Sequence, residues 1–135
     1  MCVGLEAVEV RIKARRTKRG IWMLNMTRRI SIVLADWCPH CVPLSLDNAK
    51  RMAKELNAEL RVLDIDDPEQ EKIADELVKN YGDYTEDYII PQVFIEEDGK
   101  VQHIFTGFSE GVGVTRARWE DLFASRYYKE KLKPN

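Results

Sequence analysis

Two hydrophobic periods take turns along the chain. Residues 30–35 (Ile-Ser-Ile-Val-Leu-Ala) form an almost continuous apolar run, which suits a strand buried on both faces. From Val42 the apolar positions switch to helical spacing, with Leu46, Ala49, Met52, Ala53 and Leu56 on one face. That predicts a helix opening at Pro39, where a missing N–H costs nothing, and running to Asn57. Pro43 falls in its first turn, where proline is tolerated. Leu60 to Asp66 is the next predicted strand. Asp67 then caps a second helix, with Pro68 behind it and Gln70 three residues on. The buried face of that helix is Ile73, Ala74, Leu77 and Val78. Gly82 to Tyr88 reads as an acidic, tyrosine-rich loop. Gln92 to Ile95 and Lys100 to Phe105 are strands joined by Asp98-Gly99, a strong hairpin signal. Gly107, Gly111 and Gly113 mark a loop, and a last helix over Thr115 to Tyr128 buries Trp119, Leu122 and Phe123.

The order β-α-β-α-β-β-α defines an α/β fold. Strands joined by helices are expected to run parallel, and the late hairpin adds antiparallel strands. The predicted architecture is a mixed four-stranded sheet with helices on both faces. Ahead of it, Val8 to Arg15 alternates strictly between apolar and charged residues, the period of a half-exposed strand. Two readings of residues 1–25 stand side by side: an extra N-terminal strand, or upstream sequence from a start codon set too early, with Met23 or Met26 the true start. Residues 26–135 form the domain proper.

Charge separates the same two segments. Residues 1–25 carry six basic and two acidic groups; the remainder carries 15 basic and 21 acidic ones. An acidic body does not attract nucleic acid, so no nucleic-acid partner is expected. No apolar run approaches the ~20 residues of a membrane span, and no secretory signal opens the chain. The expected compartment is the cytoplasm, and the expected state a monomer. With three cysteines among 135 residues, a disulfide scaffold is excluded. In the cytoplasm free thiols stay reduced unless they do redox or metal chemistry.

The candidate chemistry is Cys38-Pro39-His40-Cys41 at the strand-to-helix junction. A helix N-terminus presents unpaired N–H groups and the positive end of the macrodipole. Both favour the thiolate, the reactive form of cysteine. Cys41 lies three residues on, within reach for a disulfide, and a protonated His40 would add to the stabilisation of negative charge. His40 is therefore placed to tune the thiols.

Trp-Cys-Pro-His-Cys after an apolar strand, followed by Ile90-Pro91 before another strand, resembles the thioredoxin superfamily. The resemblance covers about residues 28–128 and implies a thioredoxin-like fold. It implies that Cys38 attacks, that Cys41 resolves, that Trp37, Pro39 and His40 around them tune the thiols, and that Pro91 is a cis proline beside them in space. It also implies that the main chain at Ile90 binds the substrate strand. The implied activity is thiol–disulfide exchange on protein disulfides, with an electron donor the sequence does not name. No cofactor is needed beyond the redox-active Cys38–Cys41 pair. Pro91-Gln92-Val93-Phe94-Ile95 is similar to the matching stretch of glutaredoxins, so a glutathione-linked reductase is an alternative. However, Thr106-Gly107-Phe108-Ser109-Glu110 departs from the glutathione-site pattern. Thioredoxins carry a buried acid six residues before the first cysteine. Here Ile32 stands there, so proton exchange with Cys41 needs another group or water, Asp36 being the nearest acid in sequence.

Other readings compete. Structural zinc takes four ligands, and only Cys2, His40 and His103 remain to join the pair, from distant or awkward positions. No metal is therefore expected. His103 reads as structural or exposed, and Cys2 as a free terminal thiol. Tyr81, Tyr84 and Tyr88 either border the substrate groove or belong to a packed loop. A non-catalytic module that docks a partner through its basic N-terminal strand is the alternative outside enzymes.

Overall fold

The computed structural model describes residues 15–16, 22–23, 28–86, 88–107 and 111–132. Two short strands, β1 (Arg15–Arg16) and β2 (Trp22–Met23), pair antiparallel apart from the main sheet. The rest of the expected Val8 to Arg15 strand lies outside the described residues.

The main sheet contains β3 (Arg29–Leu34), β4 (Glu59–Asp64), β5 (Gln92–Glu97) and β6 (Lys100–Thr106) in the order β4-β3-β5-β6. β3 and β4 run parallel, while β5 runs antiparallel to both β3 and β6. The direction of β5 corrects the expectation that helix-joined strands lie parallel. Residues 82–91 carry the chain back to the carboxyl end of β3, so β5 enters there and Gln92 pairs with Val33. Among the described residues three regular helices flank the sheet: α1 (Leu46–Glu55), α2 (Pro68–Tyr81) and α3 (Val112–Ala124).

Side-chain alternation along the strands feeds two cores. Ile30, Ile32, Leu34, Val93 and Ile95 face α1 and α3, with Met52 and Trp119 fully buried among them. Val33, Leu63 and Phe94 point the other way, against Ala74, Leu77 and Val78 of α2. Helices thus cover both faces, as expected. Phe105 stacks on Trp119 at 4.1 Å between centroids, and the buried Trp119 Nε1–H donates to Ser45 Oγ at 2.8 Å. That bond satisfies an indole donor that burial would otherwise leave unpaired.

Local signals explain the boundaries. Asp67 caps α2, accepting the N–H groups of Glu69 (2.9 Å) and Gln70 (3.4 Å). Asp98 and Gly99 both have positive φ, 56° and 77°, the conformation their hairpin turn demands. Two helix starts differ from expectation. The last helix begins at Val112, and Ser125 ends it rather than Tyr128. The first regular helix begins at Leu46 instead of Pro39. Val42 is extended (φ −128°, ψ 125°), and the Val42–Pro43 peptide is cis. A residue before proline is pushed out of the α region, and proline has no N–H to continue the ladder. Pro43 therefore separates the cysteine turn from α1.

Candidate active site

The cysteines sit just beyond the carboxyl end of β3. The Cys38 N–H donates to the Ala35 carbonyl at 3.1 Å. The Cys38 carbonyl accepts the N–H groups of Cys41 (2.9 Å) and Val42 (3.1 Å). This single turn folds Cys41 back so that the two thiols come within hydrogen-bonding reach. Both are free thiols. Their access differs: Cys38 keeps 6% of its surface and Cys41 none. Burial pushes the Cys41 thiol well above its ordinary value. A main-chain hydrogen bond at Ala35 works against this, while Cys38 and the charge of Asp64 reinforce it. The field of a long helix expected at Cys38 is displaced, because α1 starts at Leu46. What remains at Cys38 is the one turn built from Pro39, His40 and Cys41.

The other sequence-predicted residues gather around this turn in different ways. Trp37 is 67% exposed, yet its Nε1–H donates to Asp66 Oδ2 at 2.9 Å. Asp66 in turn donates its N–H to Asp64 Oδ1 at 2.9 Å. Asp64 ends β4 and Asp66 follows it, and the Leu34–Asp64 pairing brings that strand end beside the cysteine turn. Pro39 is exposed. His40 is half-buried, with Nδ1 2.8 Å from the hydroxyl of Thr115 on α3. Asp36 lies exposed.

Ile90 and Pro91 approach from β5. The Ile90–Pro91 peptide is cis. Because Gln92 pairs with Val33, Pro91 lies at the same sheet end as the cysteine turn. The Pro91 carbonyl accepts the Gly107 N–H at 2.8 Å. A Cβ at Gly107 would meet Pro91 Cδ at 2.6 Å, so only glycine permits this approach.

A polar cluster clamps the loop that delivers Pro91. Buried Gln92 donates to the carbonyls of Asp83 (3.0 Å) and Ile89 (2.9 Å) and accepts the Asp83 N–H (3.0 Å). The Thr106 hydroxyl donates to Asp83 Oδ2 at 2.7 Å. Having one proton, it must accept from His103 Nε2 at 2.6 Å. His103 thus holds the loop, packed edge-on to Phe94 at 5.4 Å. Tyr81 ends α2 itself, and Tyr84 and Tyr88 turn toward that helix. The Tyr88 hydroxyl donates to Asp75 at 2.6 Å, and Lys79 lies over the Tyr84 ring at 5.5 Å. Cys2 lies outside the described residues. Among the described residues no three His, Cys, Asp or Glu side chains cluster closely enough to hold a metal ion.

Sequence reasoning did not single out Asp64, Asp66 or Thr115. Asp64 and Asp66 were legible only as the end of a strand ahead of a helix cap. Thr115 was legible only as a helix start. Each earns its place through a partner at least 23 residues away.

No family model and no curated protein matches the chain. The similar solved structures are thioredoxins and a thioredoxin-like protein. A Fasciola hepatica thioredoxin is 19% identical, with a TM-score of 0.41, over 70% of this chain and 80% of that one. Mitochondrial thioredoxin 3 of Saccharomyces cerevisiae is 18% identical, with a TM-score of 0.40, over 70% and 77%. A chloroplastic thioredoxin z is 16% identical, with a TM-score of 0.44, over 91% and 93%. The chain's own architecture is the one expected from the sequence, a β4-β3-β5-β6 mixed sheet with helices on both faces, and a neighbouring cysteine pair sits at the carboxyl end of β3.

Proposed function

We propose that this protein is a thiol–disulfide oxidoreductase acting on protein disulfides through Cys38 and Cys41. The unequal access of two neighbouring thiols carries this reading. An incoming disulfide meets only Cys38, and Cys41 meets only Cys38.

In the reducing direction, the Cys38 thiolate attacks one sulfur of the substrate disulfide. A Cys38–substrate disulfide forms, and the other substrate sulfur leaves as a thiolate. Cys41 then loses its proton and attacks the Cys38 sulfur. The Cys38–Cys41 disulfide forms, and the second substrate thiolate leaves. The substrate gains two electrons and the protein loses two. An external dithiol donor restores the reduced pair. Run backwards, the same steps oxidise a substrate.

Burial holds the Cys41 proton on in the resting dithiol, so its release needs an acceptor. Asp64 takes that role in this reading, in place of the acid that Ile32 displaces and of the exposed Asp36. Its charge already bears on Cys41. The Ile90 main chain, ahead of Pro91, is the surface offered to the substrate strand, and the exposed Trp37 flanks the opposite side. The partners of this reading are protein disulfides and an electron donor, met by a cytoplasmic monomer.

The test is a disulfide-reduction assay on the wild type and on Cys38→Ser. The variant is expected to fall to the uncatalysed rate. Cys41→Ser is expected to accumulate the Cys38–substrate mixed disulfide, visible as a mass adduct. Equal rates for wild type and Cys38→Ser contradict the reading.

A further inference from the structure

One contact of the cysteine turn reaches across to another layer of the molecule. Thr115 is completely buried on α3, and its Oγ1 lies 2.8 Å from His40 Nδ1. We propose that Thr115 is a positioning residue for the dithiol. Its hydroxyl fixes the orientation of the His40 imidazole and so helps set the equilibrium between the Cys38–Cys41 disulfide and the dithiol. This inference rests on the exchange reading above.

First, the hydroxyl is well fixed. Thr115 lies inside α3, where its N–H donates to the Gly111 carbonyl at 3.2 Å. A β-branched side chain in a helix has few χ1 choices, and with Thr115 fully buried, water does not compete for the bond.

Second, the hydroxyl serves both charge states of the ring. A neutral imidazole with the proton on Nε2 accepts from it through Nδ1. An imidazolium donates to it through Nδ1. Either neutral tautomer and the imidazolium can thus keep the Nδ1 edge tied to α3, and the charged ring holds its second N–H at Nε2. Without the tie, the half-buried His40 ring is free to turn about both side-chain torsions.

Third, His40 stands between the two sulfurs in sequence, and its neighbour Cys41 bonds the Cys38 carbonyl. Ring orientation therefore changes the field at the sulfurs. An N–H donor or positive charge held there stabilises developing thiolate, which the dithiol has and the disulfide lacks. Fixing the ring favours the reduced pair, and freeing it favours the disulfide.

The test equilibrates the protein against glutathione buffers. Two glutathione thiols reduce the Cys38–Cys41 disulfide, giving the protein dithiol and one glutathione disulfide. The protein state is read by alkylation and mass. Thr115→Val keeps the shape and removes the hydroxyl. It is expected to move the equilibrium about tenfold toward the protein disulfide, which is about 30 mV for a two-electron couple. Thr115→Ser restores the hydroxyl and should lie within about twofold of wild type. His40→Leu should shift in the same direction, and Thr115→Val on that background should add nothing, since coupled residues are not additive. Thr115→Ala gives the same reading should the valine not fold.

The inference is overturned if Thr115→Val or Thr115→Ala leaves the equilibrium unchanged. It is also overturned if Thr115→Ser shifts as far as Thr115→Val, or if the histidine and threonine shifts add in full. A wild type that forms the disulfide normally while these outcomes occur leaves the exchange reading intact. A wild type that forms no disulfide removes both.

Discussion

The two ends of one sheet treat buried polar groups in opposite ways. At the amino end of β3, Glu96 accepts from Arg29 Nη2 (2.8 Å), Arg61 Nη2 (2.7 Å) and Ser31 Oγ (2.8 Å). The Arg61 Nε–H also donates to Ser31 Oγ at 3.1 Å. The carboxylate on β5 is matched by cations and donors on β3 and β4. At the carboxyl end of β3 stand two free thiols, one wholly buried. Burial alone opposes ionisation of Glu96, but the Arg29 hydrogen bond and the charges of Arg61 and Arg29 outweigh it and hold its carboxyl low. Burial of Cys41 is not outweighed, so its thiol stays protonated. The first arrangement stores stability in charges that never move. The second keeps a proton and an electron pair ready to move.

The largest effect expected from breaking this contrast is at the ionic end. Glu96→Gln leaves two arginines facing a neutral amide. Removing one partner of a buried ion pair costs about 3 kcal/mol, read as a shift in urea midpoint at pH 7. Disulfide exchange by the folded variant should be unchanged. A loss of exchange without a loss of stability contradicts the division of labour between the ends.

Next in size is the pH dependence, which has opposite sign at the two ends. The folded value of Glu96 lies below its unfolded value, about 4.5. Its contribution is present above that pH and is lost as pH falls through the folded value. The folded value of Cys41 lies above its ordinary 9.0. Its contribution is present below pH 9 and is lost as pH rises, by up to about 1.4 kcal/mol per pH unit. Tyr88 and Tyr128 are also raised from 10.0, chiefly by burial and then by hydrogen bonds to Asp75 and Glu55, so they steepen the loss above that pH. Urea unfolding of the reduced protein between pH 8 and 10 should show stability falling. Cys41→Ala should flatten the curve up to about pH 10. An unchanged slope in that variant contradicts the assignment.

The smallest effect is the stability of Cys41→Ala at neutral pH. Trimming one buried sulfur costs roughly 1 kcal/mol. Turnover should nevertheless stop, because the mixed disulfide at Cys38 then has no internal thiol to resolve it.

The two ends also differed in how much their sequence announced. The run Ile30 to Ala35, the Asp67 cap and the Asp98-Gly99 turn are local signals, and the structure follows them. The cysteine motif was equally plain, because four adjacent residues carry it. The ionic cluster was not. Arg29, Ser31, Arg61 and Glu96 lie on three strands, and each alone reads as the polar half of an alternating strand. The start of α1 was misplaced because helical spacing outweighed the constraint of Pro43 on Val42. The direction of β5 depends on where residues 82–91 travel, which periodicity does not report. Thr115 and Asp64 join the site only through packing between distant segments.

The most direct test of the central claim is a redox titration of the wild type. The protein is equilibrated across graded thiol buffers, alkylated, and its free cysteines counted by mass. Cys38 and Cys41 are expected to become protected together, in one two-electron transition following 29.6 mV per tenfold change in the buffer ratio. If no disulfide forms at any poise, or if the two thiols oxidise independently, this protein does not work by exchange through Cys38 and Cys41.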